Sequence, residues 1–77
     1  MNNAALAAIR DIAAKAAYPY TLSFTREFTS GTLAGLTHDD KLGFCAAPDA
    51  EEWVSSVNGA NRAGKLEYKV IAWKVSP

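Results

Sequence analysis

Cysteine and histidine are almost missing from this chain of 77 residues, which has one of each, Cys45 and His38. A single cysteine cannot form an internal disulfide, and a zinc site built from cysteine and histidine needs more ligands than these two. His38 with its neighbours Asp39 and Asp40 lacks a fourth strong ligand for a divalent metal. We therefore expect no metal and no cofactor, and we expect Cys45 to be a reduced, buried thiol.

An excess of charge of one sign is also missing, because eight basic and eight acidic residues give a formal net charge of zero. Proteins that bind nucleic acid usually carry a basic excess, since Lys and Arg release counterions from phosphates. A protein that mimics DNA would be strongly acidic. The composition disfavours both classes, although basic residues do cluster towards the C-terminal end, at Arg62, Lys65, Lys69 and Lys74.

Long apolar runs are missing as well, since no stretch approaches the roughly 20 apolar residues that a membrane-spanning helix needs. The alanine-rich stretch from 4 to 17 is interrupted by Arg10, Asp11 and Lys15, and it lacks the charged start and apolar centre of a signal peptide. These features predict a cytoplasmic protein with no membrane partner.

Residues that carry catalysis do not form a recognisable motif. Cys45 and His38 are the one cysteine–histidine pair in the sequence, and no orienting pattern surrounds them. The glycines Gly31, Gly35 and Gly43 are isolated, so they do not build a phosphate-binding loop. We therefore expect a protein that is not an enzyme.

What the chain does contain is enough apolar sequence for one folded domain. Hydrophobic residues make up 49% of the chain, including two Trp, three Tyr and three Phe, which is too many for a disordered protein. The length suits a single domain over residues 1–77. Alanine and apolar residues at helical spacing predict an N-terminal helix over residues 1–17, which packs on or flanks a sheet.

The middle of the chain shows the period-two alternation that is typical of strands. It predicts a first strand over residues 20–29 and, after a turn at Ser30–Gly31, a second strand from Thr32 to Thr37. A second turn at residues 38–40 then leads to a third strand from Lys41 to Ala46. These three strands are expected to form a meander.

A second helix is predicted to begin at Pro48, with Asp49 as its N-terminal cap and Glu52 reaching back to that cap. Gly64 predicts its end. A fourth strand follows, so the element order is αβββαβ. The predicted fold is α+β, with a four-stranded antiparallel sheet of strand order 3-2-1-4 and two helices.

The predicted last strand, residues 66–75, has apolar residues on both faces. If Leu66, Tyr68 and Val70 face the core, then the other face carries Ile71, Trp73 and Val75. That face is either covered by the N-terminal helix or left for a partner, because large exposed aromatic residues mark binding surfaces. The candidate partner-binding residues are Ile71, Trp73, Val75, Arg62, Lys65, Asp39 and Asp40.

The stretch from Phe28 to Leu36, followed by Phe44 and then Ala50–Trp53, resembles small uncharacterised proteins of phages and mobile elements, over residues 20 to 70. The short, cysteine-poor α+β chain without catalytic residues also resembles anti-CRISPR and other anti-defence proteins. The resemblance implies a non-catalytic protein-binding module, a phage-encoded inhibitor that blocks a host protein complex sterically in the host cytoplasm. The alternatives are a small nucleic-acid-binding domain and a homo-oligomeric structural protein such as a homodimer.

Overall fold

The computed structural model describes residues 17–77. This part of the chain forms three strands and one helix in the order β1 (Tyr20–Phe28), β2 (Thr37–Phe44), α1 (Ala47–Arg62) and β3 (Tyr68–Ser76). The strands make one antiparallel sheet of order β2-β1-β3, so the last strand lies beside the first, as expected. The N-terminal helix predicted over residues 1–17 lies, but for its last residue, outside the described residues.

For the described part of the chain, the prediction of four strands in the order 3-2-1-4 with two helices is wrong. The predicted second strand, Thr32–Thr37, is mostly a loop. Its base is closed by two hydrogen bonds, from the Phe28 N–H to the Leu36 carbonyl (3.0 Å) and from the Gly35 N–H to the Phe28 carbonyl (2.8 Å). Gly31 and Gly35 have φ angles of 79° and 90°, a left-handed backbone that bends the chain and that strands do not adopt.

The charged residues 38–40, which were predicted to form a turn, lie inside β2. They belong to a strand because each is paired with β1, Asp39 with Thr25 and Asp40 with Phe24. The Thr25 hydroxyl also donates a hydrogen bond of 2.6 Å to Asp39 Oδ1. β2 is an edge strand, and charged side chains at an edge discourage pairing with further strands. Cross-strand pairing therefore outweighs the turn propensity of these residues.

Helix α1 begins without the predicted side-chain cap. Its N-cap residue is Ala46, and no side chain makes a capping hydrogen bond. The prediction that Asp49 and Glu52 form a capping box is therefore wrong. Asp49 lies inside the first turn instead, where its negative charge is favourable at the positive end of the helix dipole.

The end of α1 confirms the predicted stop at Gly64. The Gly64 N–H donates to the Asn61 carbonyl at 3.0 Å, and the Lys65 N–H donates to the Ala60 carbonyl at 2.9 Å. These two bonds are the Schellman arrangement, which satisfies carbonyl groups that the helix leaves free. Within residues 17–77, no helix has the length and the apolar content to cross a membrane.

The core lies between α1 and the face of the sheet that carries Leu22, Phe24 and Val70, which we call the helix-side face. Leu22 is completely buried, and the Trp53 ring of α1 lies 5.1 Å from the Phe24 ring and 6.4 Å from the Phe44 ring between centroids. In β1, Leu22 and Phe24 face inward at alternate positions, as the period of two in this segment requires. The buried hydrophobic residues are Leu22, Phe24, Ala50, Val54, Val57 and Val70.

A β-bulge interrupts β3 at Ile71. Thr25 pairs with Ala72, and the next residue of β1, Arg26, pairs with Val70. Ile71 is therefore an extra residue with no partner of its own in β1. A bulge shifts the alternation of side chains, so residues on its two sides no longer follow a single period of two.

The bulge places Trp73 and Val75 on the helix-side face. Trp73 pairs with Phe24 and Val75 pairs with Leu22, and paired residues point to the same side of a sheet. The prediction that Trp73 and Val75 lie on the face opposite to Val70 is therefore wrong. A strict period of two does not allow for an extra residue, and no sequence pattern at Ile71 predicts a bulge.

Candidate partner-binding surface on strand β3

Strand β3 is an edge strand with two large exposed apolar side chains, Ile71 at 48% and Trp73 at 45% exposure. Among residues 17–77, no further strand lies on its outer side. Val75 differs from these two, because it is half-buried and packs against the core. Of the three apolar residues predicted to contact a partner, two are exposed and the third supports the fold.

The outer side of β3 is already bonded at one residue, Val70. The Val70 N–H donates to Asn58 Oδ1 at 2.8 Å, and Asn58 Nδ2 donates to the Val70 carbonyl at 3.3 Å. The carboxamide thus supplies an acceptor and a donor, as a neighbouring strand would. In the described part of the chain, no comparable bond reaches the outer side of the segment from Ile71 to Ser76.

Arg26 lies on the helix-side face, at a position where the alternation of β1 places apolar residues. Its guanidinium carbon is 5.2 Å from the Phe24 ring centroid and 4.8 Å from the Tyr68 ring centroid. Its Nη2 is 2.8 Å from Asp40 Oδ2. Cations over aromatic faces are attracted by the ring quadrupole. Arg26 therefore packs on the Phe24 and Tyr68 rings at the edge of the core and has a structural role. Asp40, a predicted partner-binding residue, is engaged in this ion pair.

The opposite face of the sheet, which we call the second face, carries Ser23, Thr25, Asp39, Lys41 and Lys74. Ser23 pairs with Lys41 on one side and with Lys74 on the other, so a hydroxyl lies between two lysines in one row. Both lysines are exposed, and neither forms an ion pair with a described residue. A groove of about 730 Å³ borders this row, and it is lined by Ser23, Phe24, Thr25, Asp39, Asp40, Lys41, Ala72, Trp73 and Lys74.

Of the remaining predicted residues, Arg62 and Lys65 lie apart from Trp73, whereas Asp39 and Asp40 line the same groove as Trp73. Arg62 is the last residue of α1 and Lys65 follows it, so both lie near the start of β3. Lys74, which follows Trp73, lies near the other end of that strand, roughly 20 Å from the start of β3 at the rise per residue of a strand. Asp39 and Asp40 belong to β2, on the far edge of the sheet. The predicted set therefore does not form one surface.

Sequence reasoning missed three contributions to this region. Asn58 has no local sequence pattern that predicts its bonds to the edge of β3. Lys41 was predicted to begin a strand, but its place in one row with Ser23 and Lys74 was not predicted. Arg26 did offer a hint, because it interrupts an apolar series in β1 while two acidic residues follow in β2.

Cys45 is exposed, so the expectation of a buried thiol is wrong. It follows the end of β2, and its Sγ lies 3.6 Å from the Ala17 carbonyl oxygen. The residue has left the sheet at this point, because β2 ends at Phe44. It is therefore a surface group and not part of the core.

Comparison of the chain with known protein families, with curated proteins and with solved structures found no match. The function of the β3 surface therefore has to be inferred from the residues that form it. Those residues are Ile71 and Trp73 on an edge strand, with Lys74 beside them, which forms no ion pair with any residue from 17 to 77.

Proposed function

We propose that the chain is a non-catalytic protein-binding module that contacts its partner through the outer side of β3, over the segment from Ile71 to Ser76. In this proposal it is a phage-encoded inhibitor of the anti-CRISPR or anti-defence type, which blocks a host protein complex sterically. The observation that carries the proposal is the exposure of Trp73 and Ile71 on β3, whose outer side has no further strand among residues 17–77.

Trp73 has the properties of an interface anchor. Tryptophan is enriched among the residues that dominate binding energies, because a large rigid ring buries much area at a small entropic cost. Trp73 pairs with Phe24, which is only 4% exposed, so the strand beneath the ring is held by the core. The backbone that carries the ring is therefore preorganised, which lowers the entropic cost of association.

The proposed site of action is the cytoplasm of the host cell. Cys45 is a free thiol at the surface, and exposed free thiols persist most readily in a reducing compartment. Within the proposal the thiol has no chemical role. The partner is a host protein or protein complex, and contact with nucleic acid or with a membrane is not required.

Retention of bacterial proteins on the immobilised chain tests the proposal. The wild-type chain is compared with Trp73→Ala and with Leu42→Ala, which removes an exposed apolar side chain from the opposite edge strand. Circular dichroism establishes that all three are folded. We expect at least one protein to be retained by the wild type and by Leu42→Ala but lost with Trp73→Ala. No protein with this pattern at physiological salt would overturn the proposal.

A further inference from the structure

We infer that the edge of β3 from Ile71 to Ser76 receives an extended acidic segment of the partner as an added strand. This inference rests on the proposed function, since it specifies how the protein partner binds. Three observations support it: the backbone bonding at Val70, the charges on the second face, and the exposed Trp73 ring on the helix-side face.

The backbone of β3 is suited to accept another strand. The Asn58 carboxamide bonds both polar backbone groups of Val70, which shows that the outer edge at this residue presents a donor and an acceptor outward. Asn58 satisfies the edge there and leaves the following six residues to a partner, as far as residues 17–77 are concerned. A segment of that length is typical of a natural strand, and extended peptides commonly bind by adding to a sheet edge.

The charges at the β3 edge of the second face favour carboxylates in the added strand, because the acidic Asp39 of this face lies on the other edge strand, β2. β3 contains Lys69 and Lys74 and no acidic residue. Lys69 pairs with Glu27, whereas Lys74 shares its row with Ser23 and Lys41. A strand added to β3 places a side chain beside Lys74, with Cβ atoms about 5 Å apart. Opposite charges are stabilising at that distance and like charges are destabilising, so Asp or Glu is favoured there.

On the helix-side face, the added strand lies beside Trp73. An apolar side chain at that position covers the exposed part of the ring and removes apolar area from water. Successive residues of a strand point to opposite faces. The segment that fits therefore alternates apolar residues, which face Trp73, with acidic residues, which face Lys74.

A second copy of this chain fits the edge less well. In a symmetric antiparallel pair with Trp73 beside Trp73, the two Lys74 side chains lie on a diagonal about 7–8 Å apart, and neither strand supplies a carboxylate. The chain's own residues 1–16 also lack the pattern, because their single acidic residue, Asp11, lies beside Arg10. A partner of another sequence provides the alternation that both lack.

Synthetic peptides test this inference. The probe is a capped seven-residue peptide of alternating valine and glutamate, and the matched control has lysine in place of glutamate. We expect the acidic peptide to bind the full chain at least about tenfold more tightly in isothermal titration calorimetry. Lys74→Glu should reverse the preference, whereas Lys65→Glu, the same charge change at an exposed residue outside β3, should leave it unchanged.

N-methylated probes distinguish strand addition from charge attraction alone. The backbone N–H groups of a strand point alternately to its two edges, so methylating the valine nitrogens blocks one edge and methylating the glutamate nitrogens blocks the other. We expect one methylated peptide to lose binding and the other to retain it. Equal binding of both would overturn the inference, as would a preference that does not depend on Lys74.

Two further results separate the inference from the proposed function. The acidic peptide could fail to bind while a bacterial protein is still retained in a way that depends on Trp73. That result would overturn strand addition but would leave the proposed binding module intact. A dimer of the free chain in light scattering that Lys74→Glu weakens or strengthens would show that a second copy occupies the edge, and would overturn the choice of a heterologous acidic segment.

Discussion

The side-chain carboxamide of Asn58 pairs with both backbone polar groups of Val70, so a helix residue occupies the place of a strand neighbour. The contact ties α1 to the outer edge of β3 and fixes where the accessible part of that edge begins. It also leaves the packing of Val70 into the core undisturbed, since only its backbone is used. A helix and an edge strand are thus joined by directional bonds as well as by apolar contact.

Replacing Asn58 with alanine should therefore destabilise the fold. Asn58→Ala leaves a partly buried N–H and carbonyl of Val70 without partners, and we expect a loss of about 2–3 kcal/mol in the free energy of unfolding. Ser55→Ala, an exposed change on the same helix, should alter it by less than about 0.5 kcal/mol. Urea denaturation measures both. A loss no larger than that of Ser55→Ala would mean that water replaces the carboxamide without cost.

Arg26 and Asp40 should contribute unequally, although they form one ion pair. Arg26→Ala removes the ion pair and the contacts with two aromatic rings, so we expect a loss of about 1–2 kcal/mol. Asp40→Ala removes an ion pair whose carboxylate is 45% exposed and an exposed hydrogen bond from the Lys41 N–H to Asp40 Oδ1, so the expected loss is below about 1 kcal/mol. A double-mutant cycle followed by urea denaturation isolates the pair. Equal losses would show that the ion pair, and not ring stacking, holds Arg26.

The same substitution should have opposite effects at two glycines. Gly35→Ala forces alanine into a backbone with φ of 90°, and although nothing lies within 4 Å of the added methyl, we expect a loss of about 1 kcal/mol. Gly59→Ala lies inside α1, where the nearest atom is 3.8 Å away on the flexible Arg62 side chain. Here we expect a gain of about 0.5–1 kcal/mol, because alanine favours the helix. Thermal unfolding of both variants checks the signs, and a stabilising Gly35→Ala would contradict the loop conformation.

Trp73→Ala should cost much less stability than a core substitution. Nearly half of the Trp73 side chain is exposed, so we expect a loss of about 1–2 kcal/mol. Leu22→Ala, at a fully buried residue, should cost about 3–4 kcal/mol. Urea denaturation of the full chain compares them. If Trp73→Ala costs as much as Leu22→Ala, the ring is a core residue of the whole protein and not an anchor for a partner.

The nucleic-acid-binding alternative predicts a different behaviour. Binding through Lys and Arg contacts to phosphate falls steeply as salt rises. Arg62 and Lys65 lie at one end of β3 and Lys74 at the other, so we expect no mobility shift of single-stranded or duplex oligonucleotides at physiological salt. A shift at low salt that disappears on raising the salt, and that Lys74→Glu abolishes, would support the alternative.

Local patterns in the sequence determined several features of this protein. Alternation predicted the strand β1, and Gly64 predicted the end of α1. Both depend on forces between residues close in sequence, namely the period of a strand and the backbone freedom of glycine. The long apolar character of the first and last strands also predicted correctly that they pair.

Only the tertiary structure decided the rest. The bulge at Ile71 turns Trp73 towards the helix side, and pairing with β1 draws Asp39 and Asp40 into a strand that local propensity assigned to a turn. Asn58 reaches Val70 across 12 positions of sequence. Strand register and the bonding of a sheet edge depend on which chain segments contact each other in the fold. A local period in the sequence does not specify those contacts.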